Sequence, residues 1–162
     1  MRRFPRPYRR AMVDPERRRR WPAYTLALLF LGYAAGKAVF AAQARLGFPG
    51  GPPVSAAETE AYFLDPAVAQ WFASASGLAG ACVALATVTP WVLRKVPRTL
   101  MLVVLAVMAL AVVGGAGIMV LDGFIGLAVG WRWYHGVLGL VVGGLCVEMV
   151  RSYVTGTKRV AA

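Results

Sequence analysis

The chain is short of the side chains that most site chemistry needs. Its 162 residues hold 7 Asp and Glu, 1 His and 2 Cys. Zinc and haem centres take their ligands from grouped Cys, His and carboxylate side chains, so no metal and no cofactor is expected. Cys82 and Cys146 belong to no C-x-x-C pair, which disfavours disulfide exchange. Both read as small buried apolar residues. No P-loop, dinucleotide fingerprint or nucleophile elbow occurs. Charge is scarce as well, at 15% of residues, while 59% are hydrophobic. That balance excludes disorder over most of the length.

What charge there is has one sign. With 18 Lys and Arg the net charge is +11, on a chain of mean hydropathy +0.60. A basic chain first suggests nucleic acid. The positions argue against that partner. Nine Arg fall in the first 20 residues; Arg94, Lys95 and Arg98 form a second cluster; Arg151, Lys158 and Arg159 form a third. Between the clusters lie long apolar runs, the pattern of a membrane protein under the positive-inside rule.

A bilayer core of about 30 Å takes about 20 helical residues. Four segments qualify, at about 23–44, 66–89, 100–121 and 133–150. Asp65 and Pro66 form a natural helix start, and Thr89-Pro90 a natural stop. The runs lack the alternation of membrane strands. The expected fold is therefore all-α: an integral membrane four-helix bundle spanning 21–153, with a basic arm at 1–20 and a tail at 154–162. The three basic clusters belong on one side, so both termini are expected in the cytoplasm of a bacterial plasma membrane. An Arg-rich leader before Ala42-Gln43-Ala44 also resembles a secretory signal peptide. Lys37 interrupts that reading, and an uncleaved first span is preferred. The arm, broken by Pro5, Pro7 and Pro15, is expected to lie on anionic lipid.

Helix association in lipid relies on small residues and polar contacts. Gly32/Gly36, Ser76/Gly80, Gly77/Ala81, Gly139/Gly143 and the group Gly114, Gly115 and Gly117 supply the small ones. These faces also leave room for a homo-oligomer or a partner membrane subunit.

Ionisable groups inside spans are functional candidates. Lys37 is placed near the outer boundary, within snorkelling reach. Glu148 sits near the cytoplasmic boundary, with Arg151 three residues on. No second intramembrane acid is available for a proton relay. On the outer side, Glu60, Asp122 and His135 are the acid–base candidates, while Lys37, Arg45, Arg132, Trp133 and Tyr134 are binding candidates. Trp and Tyr there also fit an ordinary interfacial belt. An acid in apolar surroundings suits protonation of a lipid-like substrate; the two arginines suit an anionic head group.

The helix end GYAAGKAVFAAQAR and the following LGFPGGPP (46–53) resemble the first segment of small four-span bacterial integral membrane proteins. GWRWYHG echoes their charged and aromatic motif near the last span. The resemblance covers about 25 residues plus the span count. That family has no established activity, so it implies a fold and no site residues. The leading expectation is a non-catalytic membrane protein: an accessory subunit, or a binder of lipid or an apolar small molecule. The alternatives are an enzyme acting on a lipidic or isoprenoid-like substrate at the outer face, and a small homodimeric transporter.

Overall fold

A computed structural model describes residues 19–127 and 129–157. Most of the basic arm and residues 158–162 of the tail lie outside them. The described chain is helical, with no strand among the described residues. In order, the helices are α1 (Trp21–Ala42), α2 (Ala56–Glu60), α3 (Pro66–Ala86), α4 (Pro90–Lys95), α5 (Arg98–Ile125) and α6 (Trp133–Gly156). Four of them, α1, α3, α5 and α6, are long and apolar enough to cross a membrane.

The helix ends follow local chemistry. Pro22 sits in the first turn of α1, where its missing N–H costs nothing. Asp65 caps α3, its Oδ1 accepting from the Val68 N–H at 3.1 Å. Beyond the last turn of α3, the Thr89 hydroxyl donates to the Leu85 carbonyl at 2.8 Å. Pro90 then restarts the chain as α4. Gly126 ends α5 in the left-handed conformation, φ 81°, with its N–H on the Asp122 carbonyl.

Two boundaries lie furthest from the sequence expectation. The third span does not end near Asp122. α5 runs on to Ile125 because the Asp122 carboxylate turns back to the following loop and leaves the helix ladder intact. α6 continues past Val150 to Gly156 because Glu148 and Arg151 pair along its surface, and the Thr155 hydroxyl bonds back to the Arg151 carbonyl. The short helices α2 and α4 lie in segments the sequence marks only as loops.

α1 packs along α3, and α5 along α6; α1 also meets α6, while α3 and α5 scarcely touch. The contacts close where residues are small. A Cβ added at Gly77 would stand 2.9 Å from the Tyr33 ring, and one at Gly139 would stand 2.8 Å from the Ala116 carbonyl oxygen. Gly32, Gly114, Gly115, Gly117 and Gly143 have no neighbour across them. The apolar core gathers toward one end, from all four long helices. Ala23, Leu26, Ala81, Ala84, Leu105, Cys146 and Met149 are its most enclosed members.

Candidate functional site

The other end is closed differently. After α1 the chain passes Ala44 in the left-handed region, φ 49°, and turns across the bundle through residues 46–53. Gly and Pro in this strap allow backbone that other residues resist: Gly50 has φ 72°. The strap carbonyls then serve as acceptors for side chains from three helices.

Lys37 of α1 donates to the Gly47 carbonyl at 2.5 Å, and Gln70 of α3 donates to the same oxygen at 3.1 Å. Both side chains are buried. The Lys37 ammonium also stands 5.6 Å from the Tyr33 ring centre and 5.5 Å from that of Phe48, within cation–π range. No carboxylate among the described residues pairs with it. The Gln70 Oε1 is buried without a partner. Nearby, the buried Ser74 hydroxyl donates to the Ala34 carbonyl, tying α3 to α1.

His135 of α6 anchors the strap's middle. The Arg132 N–H donates to its Nδ1 at 3.1 Å, so the ring proton sits on Nε2, which donates to the Gly50 carbonyl at 2.7 Å. Aromatic rings join the two anchors. Phe48 lies 5.5 Å from Tyr33 and meets Trp131 edge-on at 5.0 Å; Trp131 lies 4.9 Å from His135. Tyr134 lies against the His135 ring at 4.2 Å.

Asp122 holds the second loop. Its Oδ1 accepts from the Val129 N–H at 3.1 Å and its Oδ2 from the Trp131 N–H at 2.6 Å, and the residue is 3% exposed. Of the three acid–base candidates, Asp122 and His135 are thus engaged by loop backbone. Glu60 is exposed at the end of α2 and makes no such bond. Arg45, Arg132, Trp133 and Tyr134 are exposed around the strap. Lys37, Asp122 and His135 are brought to this end together. Glu148 lies at the opposite end, 3.8 Å from both Arg19 and Arg151.

Gln70, Phe48 and Trp131 were no candidates on sequence. The signal for Gln70 was a lone amide in an otherwise apolar span; the two rings gave none beyond their place in LGFPGGPP and GWRWYHG.

Glu58, in the loop between strap and α3, is held below the usual carboxylate range. The Ser55 hydroxyl is the larger cause and the Ser55 N–H the second, both donating to its carboxylate.

Two hollows lie on the surface of the described residues. One, of about 370 Å³, lies against the strap and is lined by Phe40, Arg45, Phe48, Pro52, Val54 and Thr59 among others. The second is an apolar groove of about 460 Å³ between α5 and α6, lined by Val113, Gly117, Val120, Gly143, Gly144 and Val147 among others. No group of His, Cys, Asp and Glu able to hold a metal occurs among the described residues.

The class that the fold defines is an all-helical protein with four helices able to cross a membrane. Comparison with known proteins finds no matching family model, no matching curated sequence and no matching solved structure.

Proposed function

We propose that the chain is a non-catalytic integral membrane protein that binds a lipid or an apolar small molecule. We place it in a bacterial plasma membrane, with both termini cytoplasmic and the strap outside. One observation carries the reading: the best-placed acid and the only His spend their polar atoms on loop backbone. A general acid or base must be free to reach a substrate proton. Asp122 and His135 are occupied in fixing the shape of this end. The apolar groove between α5 and α6 supports the binding half of the reading, because its glycines leave space at membrane depth for a chain-like ligand.

The test is ligand retention. The protein is purified in mild detergent and bound lipids and small molecules are identified by mass spectrometry. An apolar ligand retained in near-stoichiometric amount, kept by Asp122→Asn and lost by Gly143→Leu, supports the proposal. A Cβ at Gly143 would meet nothing within 4 Å, so the leucine side chain starts in open space at the groove. Absence of any retained ligand overturns it. So does a ligand that wild type converts chemically and Asp122→Asn does not.

A further inference from the structure

The end opposite the strap has a surface of its own. Among the described residues it carries Arg19, Arg20, Arg94, Lys95, Arg98 and Arg151, against the single carboxylate of Glu148. Three of these arginines touch α6 or its end: Arg19 and Arg151 meet at Glu148, while Arg98 reaches Thr157, nine residues further along the chain. Arg19, just before α1, reaches Glu148 with Nη1 at 3.8 Å, and its carbonyl accepts from the Ser152 hydroxyl at 3.0 Å. Arg151 reaches the same carboxylate at 3.8 Å. Arg98, at the start of α5, donates to the Thr157 hydroxyl at 3.2 Å.

These contacts leave most of the donors unused. A guanidinium has five N–H groups and no acceptor. At 3.8 Å the two Glu148 pairs are ionic contacts longer than a hydrogen bond. The Arg19 and Arg151 side chains are 69% and 76% exposed. One carboxylate shared by two guanidinium groups leaves the group net positive before Arg98 is counted. Trp21 and Trp91 stand exposed at the same end, where indole rings mark the depth of phospholipid head groups. The surface thus pairs loosely held cations with interfacial aromatics.

We propose that Arg19 and Arg151 form a binding site for the phosphate of an anionic phospholipid of the surrounding leaflet. The partner is the bilayer lipid rather than free phosphate, because the flanking tryptophans place the cations at head-group depth. Glu148 acts in it as an internal competitor, holding both arginines until lipid phosphate displaces it. This site rests on the membrane part of the proposed function, but it is separate from the apolar groove and does not depend on a ligand there.

The full chain is reconstituted in nanodiscs of mixed phosphatidylglycerol and phosphatidylcholine. Lipid retained after detergent release is counted by native mass spectrometry at rising salt. Wild type should retain phosphatidylglycerol preferentially and lose it as salt rises. Arg19→Gln and Arg151→Gln should each lower that preference about fivefold. Glu148→Gln should raise it, an outcome that loss of a purely structural ion pair would not give. Should either arginine variant fail to fold, Glu148→Gln decides alone, since it removes the competitor and leaves both arginines in place. Equal retention of the two lipids, an unchanged preference in the arginine variants, a fall with Glu148→Gln, or inorganic phosphate bound as tightly in pure phosphatidylcholine nanodiscs overturns the proposal.

Discussion

The two ends of the bundle are built on different principles. At the Arg19 end, side chains from four helices close an apolar core around Leu26, Leu105, Cys146 and Met149, and the charges sit outside it. At the strap end, polar side chains point inward and take backbone partners: Lys37 and Gln70 on Gly47, His135 on Gly50, Asp122 on Val129 and Trp131. The helix starts differ in the same way. α3 begins with the Asp65 cap, and α6 begins where the Arg132 N–H meets His135. α1 and α5 begin at the basic end with no side-chain cap and no acid in the first turn. In lipid, apolar packing gains contact without a hydrophobic drive. Loops cannot lie on such a bundle unless their backbone groups are satisfied. The core end solves the first problem and the strap end the second.

The sharpest division to test is sidedness. With Cys82 and Cys146 replaced by Ala, Ser55→Cys should react fully with an impermeant thiol reagent added to intact cells, and Val96→Cys should not react. Labelling of 96 from outside would reverse the proposed orientation.

The next effects separate the two kinds of closure. Leu105→Ala removes a fully buried side chain at the core end. Soluble cores lose about 2–5 kcal/mol on such a change, and the lower half is expected here because lipid adds no hydrophobic term. The melting temperature should fall while the loops keep their proteolytic protection. Asp122→Asn puts an amide where the carboxylate accepts two N–H groups. The melting temperature should fall on the order of 5 °C, and cleavage should open at 126–132. If Leu105→Ala exposes that loop equally, the two ends are one cooperative unit and the division fails.

A gentler change asks what Lys37 is for. Lys37→Met keeps the length of the side chain and removes a buried cation without a carboxylate partner. Gly47 keeps Gln70 as donor. Replacing a buried charge by an apolar residue of similar volume is often neutral or stabilising, so the melting temperature should hold or rise. A clear fall would mean that the ammonium, and not the amide, carries the strap.

Much of this division was legible in the sequence. Span number follows from apolar runs of about 20 residues, and the Asp65-Pro66 start and the Glu148–Arg151 pair from neighbours within one helix turn. The strap itself was half legible. LGFPGGPP announced a turn, but a turn's composition does not tell which side chains its carbonyls will meet. Lys37 and Gly47 are ten residues apart, Gln70 and Gly47 twenty-three, and His135 and Gly50 eighty-five. Asp122 stood out as an acid at a span end, which fits a reactive group and a loop anchor equally. Only the position of the Val129 and Trp131 amides separates those roles. The groove had the least signal, since a glycine that packs, such as Gly139, and one that faces nothing, such as Gly143, look alike in sequence.

The smallest expected effect lies in the loop joining the strap to α3. Ser55 and Glu58 form a reciprocal cap on α2: the Ser55 hydroxyl and N–H donate to the Glu58 carboxylate, and the Glu58 N–H donates to Ser55 Oγ. The ionised form is favoured in the folded state, so the Glu58 pKa lies below its ordinary value. A lowered carboxylate pKa gives stability that is complete above the unfolded pKa and disappears as pH falls through the folded one. Slowed hydrogen exchange at the Thr59 and Ala61 amides should therefore persist above the ordinary carboxylate range and be lost in acid below it. Glu58→Gln should weaken that protection and remove its pH dependence, leaving the Lys37 and His135 anchors unchanged. Loss of strap protection in the same acid range would place α2 within the strap's cooperative unit, and the polar end would then begin at Ser55 rather than at Gly47.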